Sequence, residues 1–265
     1  MNQPLVSVVI AAWNAARFLP ETLASAVGQT YPNREIILVD DGSTDDTRDR
    51  IAPWLDRIRY FPRPHEGLAA ARNFGMAEAR GDYLAPLDAD DLWLPAKLAV
   101  QVGVALRHPA SGLVICDGVA FEEGREVRDH MLGDAALEAL ARSSTGEATG
   151  DFHRDLITGR EWAGVPGQVL IPRAVYRHIG PFADLLTQDT EYWLRVSQHY
   201  PLTFHRDQLV RYRMHPAGLS GAGADRALRY TWGQLHMLAL HRHRCSGTDR
   251  QLAEDRITSL ARSLA

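Results

Sequence analysis

The sequence predicts an α/β fold in which helices flank a mostly parallel sheet, and two features of the chain indicate it. Strand-like apolar runs alternate with amphipathic helical patterns through the first half of the chain. The apolar runs are nearly continuous, as in strands that helices cover on both faces. Because 45% of the 265 residues are hydrophobic, the chain can bury the core of one large domain with a small C-terminal helical appendage.

The elements of the first half follow one another as strand and helix. A β-branched apolar run opens the chain, and the segment after it places its apolar side chains on one helical face. An Asp/Thr cap begins the next predicted helix, and an alanine-rich stretch forms the one after that. Predicted strands cover residues 5–12, 35–39, 58–61 and 83–87, and predicted helices cover residues 18–27, 45–54, 67–80 and 93–107.

The second half is less regular. Residues 122–150 are polar and predict loops with one short helix at 134–142. A glycine-rich break at 218–223 precedes a helical stripe. Thr248 and Gln251 have the spacing of a capping box. Strands are predicted at 113–121 and 169–172, an extended pair at 202–214, helices at 189–199 and 249–264, and the stripe consists of Leu228, Trp232, Leu235 and Ala239.

Charge and cysteine content argue against several classes of protein. The chain has 29 basic and 33 acidic side chains and a formal net charge of -4, so no global field attracts nucleic acid. Cys116 and Cys245 lack metal-ligand spacing, and we expect two reduced thiols rather than a disulfide or a zinc site. The N-terminus lacks the pattern of an export signal, and no run reaches the roughly 18 apolar residues of a transmembrane segment. We predict a cytoplasmic protein.

Two clusters of carboxylates follow predicted strands. Asp40 and Asp41 come at the end of the second strand, and Asp88, Asp90 and Asp91 follow the fourth. The carboxyl ends of parallel strands meet at one edge of the sheet, where open α/β folds bind nucleotides. Carboxylates spaced by one residue in extended geometry point the same way, as a divalent ion that bridges diphosphate oxygens requires.

Parts of these clusters have a structural explanation. A turn and a helix cap account for residues 43–46, but one cap does not need the additional pair Asp40 and Asp41. An aspartate at a strand end can accept a hydrogen bond from a base imide N–H or a ribose hydroxyl. Trp13, after the first strand, either offers a face on which a base stacks or is a core tryptophan.

Four motifs follow one another along this half of the chain. They are Ala12-Trp13-Asn14, Gln29-Thr30-Tyr31-Pro32, Ala71-Arg72-Asn73 and the acidic residues 88–91. In this order and spacing they resemble the family 2 inverting glycosyltransferases of the GT-A fold. The resemblance covers most of residues 5–215.

The resemblance implies a nucleotide-sugar site and a Mn²⁺ or Mg²⁺ ion. Trp13 and Asp41 match positions that hold the base, although position 13 is more often tyrosine in the family. Asp90 matches the metal ligand, and Asp91 is a further candidate ligand. Ala12, Trp13, Asn14, Asp41, Arg72 and Asp88 together form the implied nucleotide-sugar site, with Arg72 near ribose or phosphate and Asp88 on the ribose side.

A later segment resembles the catalytic part of the family. Residues 180–184 are similar to its Gly-Phe-Asp segment, and Gln188-Asp189 is similar to its Glu-Asp motif, in which the aspartate is the catalytic base. Exposed N–H groups in the first turn of a helix favour a charged carboxylate at Asp189. The alternative is that Asp189 only caps the helix, while Glu191 and Arg195 pair at i,i+4.

Residues 211–215, with Ser220, resemble the family's late Tyr-Arg-x-His element. The histidine of that element can join the metal or diphosphate site, which makes His215 a candidate metal ligand. A single histidine is also often structural.

These inferences predict an inverting glycosyltransferase of bacterial cell-surface polysaccharide or glycan synthesis. It would move a sugar from a nucleotide diphosphate donor, with a UDP-sugar favoured over dTDP- and GDP-sugars, to the hydroxyl of a glycan or lipid-linked glycan. The alternatives are a catalytically inactive sugar-nucleotide-binding module and a nucleotidyltransferase. A dinucleotide oxidoreductase would need G-x-G-x-x-G after the first strand, which the chain lacks.

We divide the chain into a catalytic domain, residues 1–220, and a C-terminal helical extension, residues 221–265. The nucleotide-binding half covers about residues 1–110 and the acceptor-binding half about residues 111–220. We expect residues 122–166 and the C-terminal helices to shape the acceptor site, with Trp162 as an apolar platform. The helical stripe predicts packing on the catalytic domain or in a homodimer, or else peripheral contact with the inner face of a membrane.

Overall fold

The computed structural model describes residues 3–161, 164–216, 218 and 224–264, with the backbone alone for residues 224–227. Trp162, Ser220 and most of the predicted break at 218–223 lie outside the described residues. The strands are β1 (Val6–Ala12), β2 (Arg34–Asp41), β3 (Arg59–Arg63), β4 (Tyr83–Asp88), β5 (Leu92–Trp93), β6 (Leu113–Glu122), β7 (Arg125–Arg128), β8 (Glu147–Gly150), β9 (Val169–Pro172) and β10 (Leu202–Arg213). The α-helices are α1 (Leu19–Val27), α2 (Thr47–Arg50), α3 (Leu68–Glu78), α4 (Lys97–Arg107), α5 (Asp134–Ala141), α6 (His153–Thr158), α7 (Arg173–Ile179), α8 (Gln188–Ser197), α9 (Ala224–His241) and α10 (Gly247–Ser263).

The described strands form one ten-stranded sheet. Its order is β3-β2-β1-β4-β9-β6-β10-β5, with β7 beside β6 and β8 beside β10. The first four strands pair in parallel, and so do β6 and β10. The antiparallel strand β9 joins the two parts. The predicted α/β fold with a mostly parallel sheet is confirmed.

Helices cover the sheet on both faces, as the continuous apolar strands predict. Successive side chains of a strand point to opposite faces, and Val8 and Ile10 belong to one buried cluster while Val9 belongs to the other. The first cluster includes side chains of α1 and α4, and the second includes side chains of α3 and α8. The carboxyl ends of β1, β2 and β4 therefore stay open at one edge of the sheet.

Two predicted helices are shorter than the pattern suggests. The helix predicted at 93–107 begins at Lys97, because Pro95 disfavours a helical conformation at Leu94. Trp93 instead lies in β5 and pairs with Val210. The helix predicted at 45–54 divides into α2 and a 3₁₀ turn that contains Pro53.

The second half contains more regular structure than predicted. Residues 122–150 include β7 and β8 as well as the expected helix α5. The extended pair at 202–214 is one strand, β10, whose register with β6 shifts on either side of Gln208. The capping box is wrong, because Thr248 lies inside α10, which follows Ser246.

The C-terminal helices α9 and α10 pack on each other and on α6 and α8. The predicted stripe supplies only part of the packed face. Leu235 packs against the core, but Leu228 is 46% exposed and Trp232 is 63% exposed. Met237 and Leu238 of α9 are fully buried. Among the described helices, none has the length and apolar character that crossing a membrane requires.

Lys97 is the one lysine of the sequence and is fully buried. Its Nζ lies 3.8 Å from the centre of the Trp93 ring. Burial disfavours the charged ammonium and lowers the pKa of Lys97 to about 7.

We expect a lysine side-chain NMR titration to give one resonance with a pKa near 7, unambiguous because the chain has a single lysine. Between this pKa and the unfolded value of about 10.4, the unfolded state binds the extra proton, so the free energy of unfolding rises with pH by about 1.4 kcal/mol per unit from this group. Lys97→Met should raise the melting temperature at pH 6, where the wild type must bury a charged lysine. The increase should be smaller at pH 9, where the buried lysine is neutral. A lysine pKa near 10 would contradict the prediction.

Candidate active site

Trp13 and Asp41 lie at the carboxyl ends of β1 and β2. Trp13 is 53% exposed, which excludes a core role, and its ring stacks on His65 with 4.6 Å between centroids. The buried carboxylate of Asp41 accepts hydrogen bonds from the N–H groups of Glu66 at 2.8 Å and Gly67 at 2.9 Å. His65 Nδ1 lies 2.8 Å from Asp41 Oδ2. The sequence motifs do not identify His65. Its only indication in the sequence is its position two residues before Gly67, where α3 is capped.

Ala12 and Asn14 flank Trp13. Ala12 is a buried end residue of β1. Asn14 has a positive φ of 48°, and its Oδ1 accepts a hydrogen bond from the N–H of Thr44 at 2.8 Å. Its own N–H donates to Ser43 Oγ at 2.9 Å. Asn14 therefore fastens the turn after β1 to the turn after β2.

Asp40 has structural partners on both carboxylate oxygens. Oδ1 accepts from the N–H of Ser43 at 2.9 Å, and Oδ2 accepts from the hydroxyl of Tyr60 at 2.7 Å. Asp41, in contrast, is connected to Trp13 through His65, which stacks on the Trp13 ring and lies 2.8 Å from Asp41 Oδ2.

Arg72 and Asp88 form an ion pair in the middle of the site. Arg72 Nη2 lies 2.6 Å from Asp88 Oδ1, and the guanidinium is almost completely buried against the Phe182 ring. Burial raises the pKa of Asp88 to about 6, although the Arg72 charge opposes the shift. The charges of Asp90 and Asp189 raise it further. These three carboxylates therefore influence one another's charge.

Asp189 occupies the first turn of α8. Its Oδ1 accepts a hydrogen bond from the N–H of Thr190 at 2.8 Å. Burial nevertheless raises the pKa of Asp189, since it outweighs the Thr190 N–H and the Arg72 charge that favour the carboxylate. The helix terminus alone would lower the pKa of Asp189, so the local structure predicts the wrong direction of the pKa shift. A raised pKa makes this carboxylate a stronger base.

Gln188 and Glu191 have other surroundings. Glu191 pairs with Arg195, with 2.8 Å between Oε1 and Nε, as the i,i+4 spacing predicts. Arg244 also lies 3.0 Å from Glu191. Gln188 is buried, and its Oε1 has no hydrogen-bond partner among the described residues.

Asp90 and His215 meet at the other end of the site. Asp90 Oδ2 lies 3.0 Å from His215 Nε2, and the imidazole packs on Phe18 with 4.4 Å between ring centroids. A carboxylate and an imidazole are suitable ligands for Mn²⁺, and the surplus of carboxylates supplies the negative charge that a divalent ion offsets. Asp90 and His215 are therefore the two side chains at this end of the site that would hold such an ion.

Asp91 lies differently from Asp90. It is fully buried, and its Oδ1 accepts a hydrogen bond from the N–H of Arg213 at 2.9 Å. Burial and the charges of Asp90 and Asp88 raise its pKa well above the ordinary value. This contact attaches the end of β10 to the loop after β4.

A cavity of about 750 Å³ extends from this site. Arg72, Asp88 and Asp189 lie on its wall, so the aspartate of the second motif and the aspartate at the end of β4 border the same space. The wall also includes Met237 of α9 and Arg256 of α10. Residues of α6 and β7 complete the enclosure.

The sequence motifs match a known family. A family model described as "Glycosyl transferase family 2" matches residues 7–163, more than half of the chain. The chain belongs to this family. The predicted glycosyltransferase class is confirmed at this level.

Two relatives show how far the similarity extends. An uncharacterized glycosyltransferase of Rickettsia felis is 31% identical over 218 residues, which are 80% of this chain and 34% of that protein. A UDP-Glc:alpha-D-GlcNAc-diphosphoundecaprenol beta-1,3-glucosyltransferase, WfgD of Escherichia coli, is 34% identical over 113 residues, 42% of this chain and 45% of that protein. This family 2 chain therefore spans less than half the length of either relative.

Solved glycosyltransferases share the fold. S. aureus TarS in complex with UDP-GlcNAc superposes with a TM-score of 0.68 and 15% identity, covering 97% of this chain and 71% of that chain. The mannosyltransferase PcManGT from Pyrobaculum calidifontis, in complex with GDP-Man and Mn²⁺, has a TM-score of 0.69 and 18% identity, covering 100% and 75%. The predicted GT-A-type fold is confirmed.

Removal of the Arg72 charge should move the acid limb of the pH–activity profile. The guanidinium lowers the pKa of both Asp88 and Asp189, so in Arg72→Gln both rise and the loss of kcat/KM on acidification begins at higher pH, by about one unit or more. The exposed Arg57→Gln serves as the control. If the acid limb of the pH–activity profile is the same in Arg72→Gln and Arg57→Gln, ionisation of these carboxylates does not limit the reaction.

Proposed function

We propose that this protein is an inverting, metal-dependent glycosyltransferase that moves a sugar from a nucleotide diphosphate donor to an acceptor hydroxyl. The observation that carries the proposal is the single cavity on which Asp189, Arg72 and Asp88 lie together. A base that shares one cavity with the residues assigned to the donor is what a single displacement requires.

In this proposal Asp189 accepts the proton of the acceptor hydroxyl as its oxygen attacks the anomeric carbon. The bond to the diphosphate breaks on the opposite face of the sugar, which gives inversion. Asp88 accepts a hydrogen bond from ribose, and Arg72 keeps that carboxylate charged. A Mn²⁺ or Mg²⁺ ion held by Asp90 and His215 supplies positive charge beside the departing diphosphate when it is bound. We leave Asp91 out of this ligand set because its side chain is fully buried, with Oδ1 bonded to the end of β10.

We assign the nucleotide base to the exposed Trp13 ring beside Asp41. The ring offers a stacking face, and the buried carboxylate accepts an imide N–H. The name of the Escherichia coli relative, which uses UDP-Glc, supports a UDP-sugar donor.

We assign the acceptor to the far part of the cavity, between β7, α6 and the C-terminal helices. The same relative's name specifies a diphosphoundecaprenol-linked sugar as acceptor, which supports a lipid-linked glycan and a part in polysaccharide synthesis. The exposed Leu228 and Trp232 belong to α9, whose Met237 lines the cavity, and would offer apolar side chains to the membrane that carries such a lipid. Residues 1–220 would carry catalysis, and residues 221–265 would complete the acceptor wall.

Asp189→Asn should keep donor binding and lose transfer by a factor of roughly 10² or more, because the amide cannot take the proton. Transfer from UDP-sugars and UDP-induced thermal stabilisation measure the two properties separately. Asp184→Asn, an exposed change in the preceding segment, is the matched control. Near wild-type turnover in Asp189→Asn would refute the assigned base. Wild-type binding without turnover across many acceptors would favour a binding module, and release of pyrophosphate would favour a nucleotidyltransferase.

Donor choice and metal dependence can be tested by thermal shift. UDP with Mn²⁺ at 100-fold its dissociation constant should stabilise the protein by about 2.7 kcal/mol, and more than GDP or dTDP does at equal concentration. His215→Ala should lose most of the Mn²⁺-dependent part, whereas the exposed His243→Ala should retain it. A larger shift with GDP would exclude the uridine donor, and an unchanged response in His215→Ala would exclude the histidine ligand.

A further inference from the structure

Three potential metal ligands meet where the C-terminal helices join the α/β domain. His153 opens α6, His241 ends α9, and Cys245 lies in the turn before α10. All three are buried, and their ligand atoms lie within 4.8 Å of one another. The cluster is separate from Asp90 and His215 in the candidate active site. Sequence spacing gave no sign of it, because His153 and His241 are 88 positions apart.

The hydrogen bonds around His153 determine which of its nitrogens carries the proton. Ser197 Oγ donates its hydroxyl to the carbonyl of Leu194 at 2.9 Å, so it can only accept from His153 Nδ1, which lies 2.8 Å away. With the proton on Nδ1, Nε2 of a neutral ring carries a lone pair. This arrangement, in which a second partner orients the ring, is the usual one for a metal-binding histidine.

The second imidazole faces that lone pair. His241 Nε2 lies 3.5 Å from His153 Nε2, at the upper limit for a hydrogen bond. Two nitrogens bound to one tetrahedral Zn²⁺ ion are separated by about 3.3 Å, so this spacing also suits a shared ion. Burial lowers the pKa of His241 to about 4, which keeps the ring neutral and able to bind a cation.

Cys245 completes the set. Its Sγ accepts a hydrogen bond from the amide of Gln198 at 3.7 Å, a contact that also suits a thiolate. The thiol is free, and the other cysteine, Cys116, lies in β6. Asp249 lies close enough to act electrostatically on all three groups and supplies a compensating negative charge.

We propose that His153, His241 and Cys245 form a structural Zn²⁺ site that fastens the C-terminal helices to α6 and α8. Two imidazoles and a thiolate are preferred ligands of Zn²⁺, and a water molecule takes the fourth tetrahedral position. Binding releases the Cys245 proton to solvent. In this proposal Cys245 stays reduced, as expected, but binds a metal, contrary to the expectation from the sequence. This inference does not depend on the proposed function.

The test uses the full chain after removal of metals with a chelator. One equivalent of Zn²⁺ should remain bound after desalting and should raise the melting temperature. Co²⁺ in its place should give the thiolate-to-cobalt charge-transfer absorption, which an oxygen-rich site around Asp90 cannot produce. Binding of Zn²⁺ should be lost in His241→Ala and Cys245→Ser, and should weaken by roughly 10- to 100-fold in Ser197→Ala, where the ring loses its orienting partner. His243→Ala, in the same segment but exposed, should bind Zn²⁺ as the wild type does.

Absence of the charge-transfer band in the wild type would overturn the proposal and leave a hydrogen-bonded histidine pair. The same holds if His241→Ala retains one equivalent of Zn²⁺ or shows the wild-type shift in melting temperature. If a ligand variant does not fold, the wild-type Co²⁺ spectrum and stoichiometry decide the question. Loss of transferase activity in Asp189→Asn with Zn²⁺ binding intact would separate this site from the catalytic one.

Discussion

The buried guanidinium of Arg72 offsets the electrostatic repulsion among the carboxylates of the candidate site. Three acidic side chains influence one another there, and each added negative charge would disfavour ionisation of the others. Arg72 supplies the opposing charge from α3, bonded to Asp88 at 2.6 Å. The next residue, Asn73, exchanges two hydrogen bonds with the backbone of Phe182, at 2.8 and 2.9 Å. One turn of α3 therefore sets both the charge of the site and the position of the segment that leads to Asp189.

The position of His215 beside Asp90 depends on a second arginine, Arg213. Arg213 donates its N–H to Asp91 and its Nε to the carbonyl of Asp90, and it pairs with Glu21 of α1 at 2.7 Å. Its guanidinium also lies over the Phe18 ring. Through these contacts the end of β10 is attached to the loop after β4. His215 comes next to Asp90 because it lies two residues beyond this attachment.

The parts that local patterns predicted are those in which the pattern and the tertiary structure agree. Continuous apolar runs identified β1, β2 and β4, and strand ends followed by aspartates located the site, because parallel strands finish at one edge. Long-range packing explains the failures. Trp93 became a strand residue through pairing with β10, and α9 buries Met237 and Leu238 where periodicity favoured Leu228 and Trp232. The raised pKa of Asp189 depends on burial by distant segments, so the local helix-terminus argument failed.

The cavity has walls that come from distant stretches of chain. Asp88 ends β4 at the sheet edge and Asp189 lies in the first turn of α8, whereas other parts of the wall come from α9 and α10, which follow the last strand in sequence. Substitutions in these helices can reshape the enclosure while the strands and their aspartates keep their positions. Under the proposed function, the acceptor wall and the reacting carboxylates thus come from different parts of the chain. Exchange of the terminal helical pair between related chains is a route to new selectivity that leaves the reacting groups in place.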